Sequence, residues 1–225
     1  MIGALVPVKS LGRAKGRLAA LLDEQERRRL SLAMLADVLR AVTAVPEVSV
    51  RAVVSADLEV LEAAKASGAL GIEEPPAMRD LNSALTFAAS HLMETGVDTL
   101  IVLPADIPSI TPREVTDILE ALPSPRGAVI VRSVARGTSA LALRPPDAIP
   151  FRFGPQSALA HQQETVRNKV PARVLRLPAI AIDIDEPQDL LDVLSRPGDS
   201  DTRRLLLDLD VRERLRSPTS RRRPA

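Results

Sequence analysis

Thr99-Leu100-Ile101-Val102-Leu103-Pro104-Ala105-Asp106 is an uninterrupted apolar run that stops at a proline and delivers a carboxylate two residues later. A short apolar run bounded by turn residues, with no alternation of polar positions, reads as a strand buried on both faces. Such strands belong to parallel sheets covered by helices, where ligands gather outside the carboxyl ends of the strands. On this reading Asp106 stands where a central strand opens onto a site. A turn or helix-cap aspartate is the competing reading.

Working outward, Ile2 to Val8 is another short apolar run and reads as a buried strand, and Val48 to Ser55 reads as a second. Shorter candidates follow at Leu70–Ile72, Ala128–Arg132 and Ser139–Leu143, and the stretches Val174–Leu177 and Ile180–Ile184 read as extended. Between them lie helical patterns. Asp23, with Glu26 three residues on, forms a capping box ahead of Leu30, Met34, Leu35, Val38, Leu39 and Val42, which recur at helical spacing. Asp57–Ser67 and Asp80–Glu94 end at Gly68 and Gly96. Thr111 caps a helix with Pro112 at its first position and Glu114 closing the box. Ser157–Lys169 and Pro187–Leu194 complete the set. Strand and helix alternate through the first 125 residues, which predicts a mostly parallel central sheet with helices on both faces.

Composition narrows the classes. The chain lacks cysteine, which removes thiol chemistry and zinc–thiolate sites and fits a reducing, cytoplasmic setting. No apolar run approaches the roughly 20 residues of a membrane helix. Phe87, Phe151 and Phe153 are the only aromatics, so a stacking platform for single-stranded nucleic acid is not expected. Residues 196–225 carry nine arginines against five acidic residues. The body, residues 1–195, is therefore slightly acidic and a poor general binder of nucleic acid. The tail 196–225 is expected as a peripheral helix, Arg203–Leu215, followed by a disordered end. A homodimer is the base-rate expectation.

Three groups could do chemistry. After the first strand, Pro7-Val8-Lys9-Ser10-Leu11-Gly12-Arg13-Ala14-Lys15-Gly16-Arg17-Leu18 supplies Lys9, Arg13, Lys15 and Arg17, with two glycines that let backbone approach a ligand. That suits a triphosphate, although the spacing is not that of a Walker A loop, and a solvated basic loop is the alternative. Asp106 is the second group. The third is Asp183-Ile184-Asp185, whose two carboxylates fall on one side of an extended chain and repel unless a cation lies between them. With Asp106 they make three hard oxygen donors, suited to magnesium shared with substrate phosphates. The bland reading has Asp185 starting the last helix. His91 and His161 are too far apart in the chain to suggest a metal pair, and His161 lies one turn beyond Ser157.

These segments, in order, resemble the CofC/FbiD family of 2-phospho-L-lactate or phosphoenolpyruvate guanylyltransferases of coenzyme F-420 biosynthesis. The similar stretches are Pro7–Lys9 through Ala14–Leu18, Asp80–Leu85, Leu103–Pro108, Gly137–Leu141, Phe153–Pro155 with Ser157 and His161, and Asp183–Leu190. The resemblance implies a Rossmann-like nucleotidyltransferase fold of the nucleotide-diphospho-sugar transferase, MobA-like kind. It implies magnesium on Asp106, Asp183 and Asp185, and the acceptor's phosphate at Thr138, Gly154 and Ser157. GTP phosphates are expected at Lys9, Lys15 and Arg17, with the nucleoside near Leu81 and Asn82, and Asp106, Lys15 and Arg17 taking part in the reaction. The implied reaction moves GMP from GTP to phosphoenolpyruvate or 2-phospho-L-lactate. Three positions depart from the family pattern: Asp80 and Gln156 replace glycines, and Ser139-Ala140 replaces Asn-Ala. A transferase with another acceptor, such as a sugar phosphate or molybdopterin, and a non-catalytic nucleotide-binding module are the other readings.

Overall fold

A computed structural model describes residues 1–216 except Ala14, Ala77, Arg79, Ala181 and Ile182. Its centre is a seven-stranded sheet of β1 (Ile2–Pro7), β2 (Val48–Ser55), β3 (Leu70–Glu73), β4 (Thr99–Val102), β5 (Gly127–Arg132), β6 (Thr138–Arg144) and β7 (Ala172–Leu175). The spatial order is β3-β2-β1-β4-β6-β5-β7. Only β6 runs against the others. β4 is paired on both sides, with β1 and with β6, and all four of its residues are buried.

Successive residues along the central strands feed opposite layers, as the pleat requires. Ala4, Val6 and Ile101 face α1 (Glu24–Thr43), α2 (Leu58–Ala66) and α4 (Pro112–Glu120). Leu5, Leu100 and Val102 face α3 (Leu81–Glu94) and α5 (Ser157–Arg167). Helices thus cover both faces, as alternation of strand and helix predicts. The capping boxes at Asp23–Glu26 and Thr111–Glu114 both form, which explains why α1 and α4 begin where the sequence places them.

Two segments fold differently from expectation. Ile180–Ile184 contributes no strand among its described residues. Pro178–Ile180 is a 3-10 turn that buries Ile180, and the Ile184 amide donates to the Asp106 carbonyl at 3.0 Å, not to a sheet ladder. Proline presets the turn dihedral and lacks a ladder donor, so an apolar run beginning beside it need not pair. The other segment is 196–216. Following α6 (Asp189–Ser195), it forms α7 (Asp201–Asp208) and α8 (Val211–Arg216). Leu205, Leu206, Leu209 and Val211 pack with Leu30 and Met34 of α1 and Leu190 of α6 in a third apolar cluster. Asp37 of α1, almost fully buried, accepts from the amides of Asp201 and Thr202 at 2.8 and 2.9 Å and so holds the start of α7. Residues 217–225, including the basic Arg221–Arg223, lie outside the described residues.

Candidate active site

Three strand ends meet at one edge of the sheet. β1 and β4 run parallel and both end there. β6 is antiparallel to β4, with Val102 opposite Leu141, so its first residue, Thr138, lies at that same edge. One reversed strand therefore adds the beginning of β6 to the ends of β1 and β4.

Asp106, Asp183 and Asp185 come together although up to 79 residues separate them in sequence. One oxygen from each lies within 4.8 Å of the other two. Convergence has a backbone cause: the Ile184-to-Asp106 bond fastens the second segment to the first. Asp189, at the start of α6, accepts from the amides of Asp185 and Glu186 at 2.9 and 2.7 Å and fixes that segment from the other side. Burial and the neighbouring Asp106 charge raise the pKa of Asp183.

Lys15 enters this cluster. Its ammonium is 2.9 Å from Asp106 and 3.1 Å from Asp185, with the side chain only 10% exposed. Burial alone would lower its pKa, but the two carboxylates outweigh burial and raise it. Its backbone is left-handed, φ 53°, a conformation uncommon for a side-chain-bearing residue. The carboxylates, one cation between them and all donors hard oxygen, fit a divalent cation. The other loop cations stand further out. Lys9 is exposed on the cavity wall, and Arg17, 71% exposed, approaches Glu186 at 3.7 Å. The Arg13 side chain is outside the described set.

A cavity of about 470 Å³ opens onto this cluster, walled by Pro7, Lys9, Lys15, Leu81, Asp106 and Phe153 among others. A neighbouring one of about 490 Å³ shares Pro7 to Ser10 and Leu81 and extends toward Glu74 and Asp80. The loop between is held by Asp57, whose carboxylate accepts from the Leu11 amide at 2.9 Å while also capping α2. The Asp57 pKa is lowered: burial raises it, but the amides of Leu11 and Glu59 and the Ser10 hydroxyl prevail. Sequence reading sees Asp57 as a helix start; its grip on a loop 46 residues away has no local signal.

The remaining site residues form a connected group. Asn82 does not point a free amide into the cavity. Its carbonyl accepts from the Phe153 amide at 2.7 Å and its NH₂ donates to the Phe153 carbonyl at 3.0 Å. The ring of Phe153 meets His161 edge-on, centroids 5.0 Å apart. His161 is fully buried and contacts the Thr138 hydroxyl at 3.0 Å and the Arg152 amide at 2.9 Å. Burial drives its pKa down to about 4. Ser157, 2% exposed, begins α5 after Gly154 at φ 136°, a conformation side chains rarely adopt. A methyl on Gly137 would stand 2.9 Å from Ser133 Oγ and 3.8 Å from Ser157 Oγ, so Ser157 abuts the residue preceding Thr138. Gln156 is left-handed at φ 55°, a backbone that favours glycine.

The sheet order, the carboxylate cluster at its edge and the basic loop define a nucleotidyltransferase. Solved structures share the fold. A protein assigned to the nucleotide-diphospho-sugar transferases, from Desulfovibrio desulfuricans G20, superposes with a TM-score of 0.75 over 94% of this chain and 97% of that one, at 19% identity. A nucleotidyl transferase from Methanothermobacter gives 0.63 over 86% and 95%, at 18% identity. The family model described as guanylyl transferase CofC like matches residues 2–223, and the chain belongs to that family. Proteins named phosphoenolpyruvate guanylyltransferase are 42% identical in Sphaerobacter thermophilus (83% of this chain, 89% of that protein) and 44% identical in Rubrobacter xylanophilus (83% and 90%). One from Nocardia farcinica is 35% identical over 98% of this chain and 97% of its own. Among the described residues no helix is long and apolar enough to cross a membrane.

Proposed function

We propose that this protein transfers GMP from GTP to phosphoenolpyruvate, releasing pyrophosphate, as a magnesium-dependent step of coenzyme F-420 biosynthesis. The observation that carries the reading is the gathering of Asp106, Asp183 and Asp185, two of them paired with the Lys15 ammonium, beside a cavity that Lys15, Asp106 and Asp185 line. The names of the relatives support guanylyl transfer and favour phosphoenolpyruvate over 2-phospho-L-lactate.

Bound to the three aspartates, magnesium would neutralise phosphate charge and favour departure of pyrophosphate. The chain's own residues have simpler duties. The acceptor's phosphate is already an anionic nucleophile, so no protein nucleophile or strong base is needed. An acceptor oxygen attacks the α-phosphorus of GTP, a new P–O bond forms, and the bond to the β-phosphate oxygen breaks. Lys15, with Lys9 and Arg17 on the open side, offsets the charge of two polyanions brought together, and the cavity walls fix their separation. Thr138, Gly154 and Ser157 hold the acceptor's phosphate, and Leu81 lines the nucleoside side.

The test is pyrophosphate release from GTP with each acid, with ATP, CTP and UTP as controls. Turnover is expected with GTP and phosphoenolpyruvate and should fall at least about 100-fold in Asp106→Asn. Release with neither acid would overturn the assignment, and turnover with 2-phospho-L-lactate alone would replace the acceptor.

A further inference from the structure

The buried imidazole of His161 sits between two partners that dictate its tautomer. A backbone amide can only donate, so the Arg152 N–H, 2.9 Å from Nε2, requires a lone pair on that nitrogen. A neutral ring then carries its proton on Nδ1. Nδ1 in turn faces the Thr138 hydroxyl at 3.0 Å. With Nδ1 protonated, the ring has no lone pair to offer Thr138. The Thr138 oxygen can accept from His161, but its own O–H must point elsewhere.

We propose that His161 is a positioning residue for the acceptor site: by holding the Nδ1–H tautomer it fixes the Thr138 hydroxyl as an outward donor to an anionic phosphate. This rests on the reading of Thr138, Gly154 and Ser157 as the acceptor's phosphate site. The surroundings support it. Arg152, which supplies the amide, immediately precedes Phe153, whose backbone Asn82 clamps at both polar atoms. Its guanidinium is tied to Glu164 at 2.9 Å, so the amide facing Nε2 is held from both sides. The Ser157 hydroxyl lies beside Gly137, the residue directly before Thr138. A hydroxyl that can only donate is suited to an anion; one free to rotate must be ordered by the ligand, and binding is weaker for it.

The test separates the two ring nitrogens. In His161→Asn the amide nitrogen falls near Nδ1 and keeps a donor toward Thr138. In His161→Gln the longer side chain reaches the Nε2 position, serving Arg152 but leaving Thr138 free. KM for phosphoenolpyruvate is expected to rise about 10- to 100-fold in His161→Gln, with KM for GTP within about twofold, and to rise far less in His161→Asn. Thr138→Val should show the same loss, and the double variant His161→Gln/Thr138→Val no further loss. Nitrogen-15 NMR of the wild-type ring should report a protonated Nδ1 and a bare Nε2. Calorimetry with inorganic phosphate should show weaker binding to His161→Gln than to wild type. A protonated Nε2, an unchanged KM for the acid, or a parallel rise in both KM values would overturn the proposal. Should wild type fail to turn over either acid, the substrate assignment alone falls, and the tautomer and phosphate measurements still decide the positioning role.

Discussion

The Nζ of Lys15 lies 2.9 Å from Oδ2 of Asp106, inside the carboxylate cluster and not out in the loop that carries it. An ammonium there relieves the mutual repulsion of Asp106, Asp183 and Asp185. A divalent cation bound to the same oxygens would meet a competitor already in place. Lys15→Met should therefore lower the melting temperature in EDTA by several degrees, because close carboxylates lose their only nearby cation among the described residues. Magnesium should restore more stability to the variant than it adds to wild type. Thermal denaturation with and without magnesium checks this; equal shifts in the two proteins would show that Lys15 and metal do not share the cluster. Transfer of GMP should fall steeply in the same variant if, as proposed, the cation also offsets the nucleotide's phosphate charge.

A second prediction concerns pH. His161 titrates near 4 in the folded protein, below the ordinary 6.5. Its unfolded form therefore binds a proton first as pH falls. Stability from this residue is complete above about pH 6.5 and declines as pH drops toward 4. Arg152 opposes protonation and Glu164 favours it, with burial the larger effect. The shift allows up to about 3 kcal/mol over that window. Urea unfolding of wild type and His161→Gln between pH 7 and 4.5 should show the steeper loss in wild type. Parallel curves would exclude His161 as the cause.

The strands β1 and β4 were legible because each is a short apolar run reaching a proline, and β4 leads toward Asp106 in the reading as in the fold. The caps at Asp23 and Thr111 were legible because both halves of a capping box lie within four residues. What the chain hides is non-local. Nothing around Asp183 says that its segment is fastened through the Asp106 carbonyl by the Ile184 amide. Asn82 reads as a ligand contact from a resemblance, and nothing local says that its amide also pairs with a peptide 71 residues on. Arginine-rich composition at 196–225 suggested a tail, while the leucines that dock it recur at spacings a weak amphipathic pattern also shows.

That docking makes a third prediction. Asp37 is a buried acceptor for two amides at the start of α7. Asp37→Ala leaves both donors unpaired and should destabilise the protein by about 2 kcal/mol. In a chain of this size that is a fall of roughly 4–8 °C in melting temperature. Ending the chain at Arg196 should be worse, because Leu30, Met34 and Leu190 lose Leu205, Leu206, Leu209 and Val211 as partners. Poor recovery of folded protein is the expected result. A truncated chain that melts like the full one would show that the third cluster adds nothing to stability.

Gln156 offers a test in the opposite direction. Its φ of 55° belongs to the left-handed region, where a side chain costs about 1 kcal/mol or more relative to glycine. It caps α5 without a side-chain hydrogen bond, so replacement forfeits no contact of that kind. Gln156→Gly should therefore stabilise the folded protein by up to about 1 kcal/mol, reduced by the greater freedom glycine gives the unfolded chain. Gln156→Val, β-branched and ill suited to positive φ, should destabilise it. The residue adjoins Ser157, one of the candidate acceptor contacts, so the pair of variants also separates stability from binding. If the backbone at 156 is held by the loop and not by its side chain, Gln156→Gly will leave KM for the acid near its original value while the melting temperature rises. A lower melting temperature in Gln156→Gly would mean that the side chain holds this turn in a way its conformation does not reveal.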